Sequence, residues 1–178
     1  MTKYLVLPDI RSTHNVGAFF RTADAFGFDK IFLCGITPQP PRADIAKVSL
    51  GAETWIPFEY HPNVVTLLRR LQGQGSTVVA LEKIDTSISM NEIKTLLEVT
   101  QVSKDTKGAK GAKINLEASL ETSAPSVTLV VGNEVFGVHE DVLALSDLVV
   151  HIPMVGKKES LNVSVAGGIA MHWLSELK

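Results

Sequence analysis

Short β-rich runs alternate with segments of helical period along most of this chain. Tyr4–Leu7, Lys30–Cys34, Thr54–Tyr60, Thr77–Glu82, Val127–Val131 and Leu148–Ile152 predict strands. Several are apolar nearly throughout, Val127-Thr128-Leu129-Val130-Val131 most clearly, as parallel strands covered on both faces require. Between them, Val16–Phe26, Arg42–Leu50, Val64–Gln74, Val138–Leu145 and Leu161–Leu177 carry apolar residues at helical spacing and predict helices. This alternation predicts an α/β fold, a mostly parallel sheet with helices on both faces. No internal repeat interrupts it.

One stretch breaks the rhythm. From about 103 to 126 large apolar residues are few, and Lys104, Lys107, Lys110 and Lys113 accompany Gly108 and Gly111. We treat it as an insertion in a single domain over 1–178. It reads either as a solvated loop or as an arm that contacts nucleic acid. A chain of 178 residues, 45% of them hydrophobic, can bury a substantial core without staples. No apolar run is long enough to span a bilayer, and the first residues read as too short for a secretory signal. The single cysteine, Cys34, excludes an internal disulfide and a cysteine-based zinc cluster, which points to the cytoplasm. A net charge of −2 argues against coating nucleic acid by bulk charge, but not against a local basic groove.

Three segments carry candidate chemistry. The first runs from Asp9 to Gly27. Asn15 is expected to cap a helix with the buried stripe Val16, Phe19, Phe20, Ala23 and Phe26. Gly17 in its first turn suggests close approach by a ligand or another segment. Arg21 either pairs with Asp24 three residues on or serves a site. In the second segment a strand ends in Gly132-Asn133-Glu134-Val135-Phe136-Gly137, at the sheet edge where α/β folds bind ligands. Neither GxGxxG nor a Walker lysine is present. The third runs from His151 through Lys157 and Lys158 to a final helix. Ser160 is its expected cap, its expected stripe is Val163, Ala166, Ala170, Trp173 and Leu177, and Gly167-Gly168 implies very close packing.

Asn15-x-Gly17-x-x-x-Arg21-Thr22-Ala23, Gly132-Asn133-Glu134-x-x-Gly137, and Ile152-Pro153-Met154 followed by Ser160-Leu161-Asn162-Val163-Ser164-x-Ala166 together resemble the three motifs of the SpoU/TrmH family of SPOUT methyltransferases. Ser49-Leu50-Gly51-Ala52 is similar to a small-residue stretch in these enzymes. The resemblance implies an S-adenosyl-L-methionine-dependent RNA ribose 2'-O-methyltransferase with a C-terminal deep trefoil knot, working as a homodimer without a metal. It implies that Leu81, Glu82, Gly132, Ile152, Met154, Ser160 and Leu161 hold the cofactor, although Leu81-Glu82 departs from the family's small-residue sequence. It implies that Arg21 is catalytic and that Asn15, Glu134, Ser160 and Asn162 position the reacting groups. Arg11, His14, Lys157 and Lys158 are candidates for phosphate contact, or solvated surface charges.

An arginine is a poor free base, because its pKa exceeds about 12. Arg21 is therefore expected to bind phosphate and stabilise a developing alkoxide, with its role as proton acceptor left open. With no room for a separate RNA-binding domain, recognition is expected to rest on the dimer surface, the insertion or a partner protein. Transfer RNA is slightly favoured over ribosomal RNA as substrate. A catalytically silent RNA-binding homologue and an unrelated nucleotide-dependent α/β enzyme are the competing classes.

Overall fold

The computed structural model describes residues 1–92 and 126–176. Its strands are β1 (Thr2–Pro8), β2 (Lys30–Cys34), β3 (Phe58–His61), β4 (Ser76–Leu81), β5 (Ile88–Ser89), β6 (Ser126–Val131) and β7 (Leu148–His151). They form one seven-stranded sheet in the order β3-β2-β1-β6-β4-β7-β5, with every neighbouring pair parallel. The helices are α1 (Thr13–Ala25), α2 (Ala43–Ser49), α3 (Val64–Gly73), α4 (Glu140–Leu143) and α5 (Val163–Ser175). Apart from Ser126, the insertion with its four lysines lies outside the described residues.

The two-residue period of a strand divides the core into two layers. Leu5, Leu7, Ile31, Leu33, Leu129 and Val131 share one buried cluster with Phe19 of α1, Ile45 of α2 and Ala170 of α5. Val6, Phe32, Val78, Ala80 and Val130 share the other with Leu67, Leu68 and Leu71 of α3 and Val142 of α4. Each fully buried side chain of this size contributes about 1.5–3 kcal/mol relative to exposure. β7 pairs with both β4 and β5, so it lies between two strands that are close neighbours in sequence.

Several boundaries differ from the sequence expectation. The strand expected over Thr54–Tyr60 begins only at Phe58, because Ala52–Thr54 forms a 3-10 turn entered through Gly51 at φ +98°. Helix α4 is shorter than expected, and His139 caps it. The two-residue β5 has too little sequence to announce itself. Ser12, not Asn15, caps α1: its hydroxyl accepts the Asn15 N–H at 3.3 Å, so the Asn15 side chain is free for other work. Asn162, not Ser160, caps α5 by accepting the N–H groups of Ser164 and Val165.

Helix α1 packs between α2 and α5, and two glycines make that possible. A Cβ on Gly17 would lie 2.6 Å from the Ile45 carbonyl oxygen and 2.8 Å from Val48 Cβ. A Cβ on Gly167 would overlap the Phe19 ring, whereas one on Gly168 would stand 3.7 Å from Thr22 Cγ2, an ordinary contact. The buried side of α5 is accordingly Gly167, Ala170, Met171 and Leu174. The expected Val163, Ala166 and Trp173 are only partly buried against the core, and Leu177 lies outside the described residues. The register rotated because the helix turns its smallest residue towards Phe19. Replacing Gly167 with Ala should cost about 1–3 kcal/mol through overpacking. Gly168→Ala should be neutral or stabilise by up to about 1 kcal/mol through helix propensity. Urea midpoints at unchanged m-value check both.

Candidate active site

A pocket of about 460 Å³ opens at the carboxyl ends of β4, β6 and β7. Its walls come from the turn after β4, the loop between β6 and α4, and the segment from β7 to α5. Leu81, Glu82, Gly132, Ile152, Met154, Ser160 and Leu161 all line it, as do Glu134 and Asn162. Residues distant in sequence thus meet in one cavity, of the size that small-molecule sites occupy. Lys83, His151 and Glu159 also line it, and the motif pattern did not single them out. They flank motif residues, and no spacing marks them.

A chain of polar contacts joins the three motif segments. Asn162 Nδ2 donates to Asn15 Oδ1 at 3.2 Å, and Asn15 Nδ2 donates to Glu134 Oε1 at 3.0 Å. The Glu134 carboxylate also accepts the backbone N–H groups of Arg11 at 3.0 Å and Ser12 at 3.1 Å. At the far end, Asn162 Oδ1 accepts from Ser164 N–H at 2.9 Å and Ser164 hydroxyl at 2.6 Å. Both asparagine amides therefore use donor and acceptor together, and Asn15 does so while only 8% exposed. Partial burial pushes the Glu134 carboxyl up, but the hydrogen bonds from Arg11, Asn15 and Ser12 outweigh it and hold the group below its usual range.

The loop after β6 is closed by its own backbone. Asn133 and Gly137 exchange N–H···O bonds at 2.8 and 3.0 Å, and Gly137 takes φ +67°. The Glu82 carboxylate accepts the Val138 N–H at 2.7 Å and the Lys83 N–H at 2.9 Å. A Cβ on Gly137 would overlap that carboxylate. Glu82 thus braces the loop, although its residue also lines the pocket. Burial, then the Asp9 carboxylate, pushes the Cys34 thiol up to about 12, so it is not a thiolate near neutrality.

The remaining candidates lie outside the pocket. Arg21 is exposed on α1 and is not among the lining residues. The alternative pairing with Asp24 is not made: Asp24 Oδ1 accepts the Trp55 indole N–H at 2.8 Å, and no ion pair of Arg21 occurs among the described residues. Arg11, His14, Lys157 and Lys158 are all exposed. Among the described residues no helix is long and apolar enough to cross a membrane. None of their His, Cys, Asp and Glu side chains form a group of three or more suited to a metal ion.

The fold and the motif geometry define a parallel α/β class with its pocket at the strand ends, and comparison with known proteins makes the assignment. Residues 2–172 match the model of the SpoU rRNA Methylase family, and the chain belongs to that family. It is 26% identical over 166 residues to the tRNA (guanosine(18)-2'-O)-methyltransferase of Escherichia coli, covering 93% of this chain and 59% of that one. It is 28% identical over 167 residues to the 23S rRNA (guanosine-2'-O-)-methyltransferase of Vibrio vulnificus, covering 94% of this chain and 56% of that one. Among solved structures, the AdoMet-bound rRNA methyltransferase of Sinorhizobium meliloti superposes with a TM-score of 0.74 at 25% identity, over 99% of this chain and 57% of that one. The chain spans somewhat over half the length of these relatives.

The Glu134 contacts carry a pH signature. The folded carboxyl titrates below its ordinary value of 4.5, so its contribution to stability is complete above that value and is lost as pH falls through the lower folded one. Glu134→Gln should be less stable than wild type at neutral pH, because a side-chain NH₂ then faces backbone N–H donors. The gap should narrow as pH falls below about 4, since only the wild type titrates there. Thermal midpoints of the two proteins between about pH 7 and pH 3 test this; a constant gap would remove Glu134 from the role.

Proposed function

We propose that this protein is an S-adenosyl-L-methionine-dependent RNA methyltransferase acting on a ribose 2'-hydroxyl in the cytoplasm, with tRNA ahead of rRNA as substrate. The observation that carries this reading is the convergence of Leu81, Glu82, Gly132, Ile152, Met154, Ser160 and Leu161 on one pocket. Family membership and the AdoMet-bound relative support it. The E. coli relative favours tRNA, and the V. vulnificus relative keeps rRNA in view.

The pocket fits the cofactor chemically. Leu81, Ile152, Met154 and Leu161 offer apolar surface for an adenine, and the strand-end loops offer backbone polar groups for its edge. When bound, the cofactor supplies a methyl group already activated by a sulfonium charge. The protein's part is to align the hydroxyl and lower the cost of its deprotonation. The Arg21 guanidinium would bind the neighbouring phosphate and stabilise the alkoxide as it forms. Asn15, Glu134 and Asn162 would hold the three loops in register, and Ser160 would offer a hydroxyl at the pocket wall.

Because Arg21 is exposed and off the pocket of its own chain, we infer a homodimer in which a second copy brings the two together. Apolar residues on the outer side of α5 support this: Val165 is 52% and Ile169 42% exposed, one turn apart. We also infer the trefoil knot. β7 lies between β4 and β5, Glu82 N–H donates to the Val150 carbonyl at 2.9 Å, and Ser87 Oγ meets His151 Nδ1 at 2.9 Å. These contacts support a reading in which the chain beyond β7 threads beneath the loop that joins β4 to β5.

Transfer of tritiated methyl from S-adenosylmethionine to unmodified total tRNA and rRNA, with mapping of the labelled nucleotide, tests the activity. Arg21→Ala should lower kcat/KM more than about a hundredfold, some 2.7 kcal/mol of transition-state stabilisation, with cofactor affinity retained. A loss smaller than about tenfold would exclude the role given to Arg21. Ile169→Glu should shift the protein from dimer to monomer in light scattering and abolish transfer while the circular-dichroism spectrum is preserved.

A further inference from the structure

We propose that Phe136 is a stacking platform for an unpaired RNA base beside the nucleotide whose ribose 2'-hydroxyl is methylated. The proposal rests on the reading that the substrate is RNA. Phe136 is 85% exposed, the most exposed aromatic side chain among the described residues. Its ring contributes little to the fold, yet the backbone beneath it is held by hydrogen bonds. Asn133 Oδ1 accepts the Val135 N–H at 2.8 Å and the Phe136 N–H at 3.2 Å. Asn133 and Gly137 close the loop, and Glu134 ties it to Arg11 and Ser12. An aromatic ring on a pre-set backbone is suited to binding, because little order remains to be gained. Its neighbour Val135 lines the pocket, so the ring stands at the rim.

The charges around that rim favour RNA. Arg11, Lys83, Lys157 and Lys158 are exposed, and the Arg11 N–H donates to Glu134, which lines the pocket. Lys83 lines the pocket, and Lys157 and Lys158 lie between Met154 and Glu159, which both line it. Of the carboxylates lining the pocket, Glu82 and Glu134 are occupied by N–H donors, which leaves Glu159. A flat π-surface among cations is how single-stranded nucleic acid is gripped, with backbone phosphates on the cations and bases on the ring. Unpaired bases stack on aromatic side chains in most sequence-specific RNA sites.

The test compares Phe136→Leu, which keeps apolar bulk without a π-face, with Phe136→Trp, which keeps the face. Methyl transfer from S-adenosylmethionine to unmodified total tRNA and rRNA gives one readout. Quenching of 2-aminopurine in a short single-stranded oligoribonucleotide gives the other. Phe136→Leu should raise the KM for RNA roughly tenfold at unchanged kcat and cofactor affinity, and lose the quenching; Phe136→Trp should retain both. A Leu variant with KM within roughly twofold of wild type and undiminished quenching overturns the proposal. So does one that changes oligomeric state or loses cofactor affinity, because the ring then packs on a second copy or on the cofactor. If wild type transfers no methyl to either RNA while quenching still depends on the ring, the methyltransferase reading fails and the stacking platform stands.

Discussion

The hydrogen-bonded series Asn162–Asn15–Glu134 is the constraint on which the site depends. It links residues 147 and 119 positions apart in sequence, and it joins the N-terminus of α5, the first turn of α1 and the loop after β6. An asparagine amide buried without partners costs about 1–3 kcal/mol, so each member of the series holds the next in place. The Glu134 carboxylate ends it well, because an ionised carboxylate accepts from two backbone N–H groups and a side-chain amide at once. The strand ends bring these segments together; the amide chain sets their register.

A second carboxylate shows why that placement matters. Glu59, at the edge strand β3, accepts from Lys30 at 3.1 Å and lies 2.7 Å from His61 Nε2 and 3.5 Å from Arg70. Its partners also pull its carboxyl below the usual range, the Lys30 hydrogen bond most strongly. Yet these groups are solvated, and exposed ion pairs contribute at most about 1 kcal/mol each. The Glu134 cluster ties together three segments that nothing local would hold together, whereas the Glu59 cluster trims an edge.

Close backbone approach is the other organising feature. Gly17 lets α1 sit against α2, Gly167 lets it sit against α5, and the Gly132–Gly137 turn lets Glu82 reach the loop after β6. Helix α1 is thereby clamped on two sides, with Arg21 left facing solvent. The same clamping gives α5 two apolar sides, of which only the Gly167–Leu174 side is covered by its own chain.

The sequence by itself determined the alternation of strands and helices and the two-sided burial of the strands, while the residues that line the pocket came from the family resemblance. The first two are local properties: a period of two or 3.6, a cap, a glycine where a helix former would serve better. The motif residues were legible because their types and spacing are unusual in combination. The tertiary structure alone decided the rest. It made Ser12 and Asn162 the caps in place of Asn15 and Ser160: α1 begins at Thr13, so Asn15 lies inside its first turn, where its Oδ1 accepts from Asn162 and its Nδ2 donates to Glu134. It rotated α5 to set Gly167 against Phe19, and it gave Asp24 to Trp55 instead of Arg21. It inserted β7 between β4 and β5. Each of these outcomes depends on which distant group arrives at a given atom, and periodicity along a single chain carries no record of that.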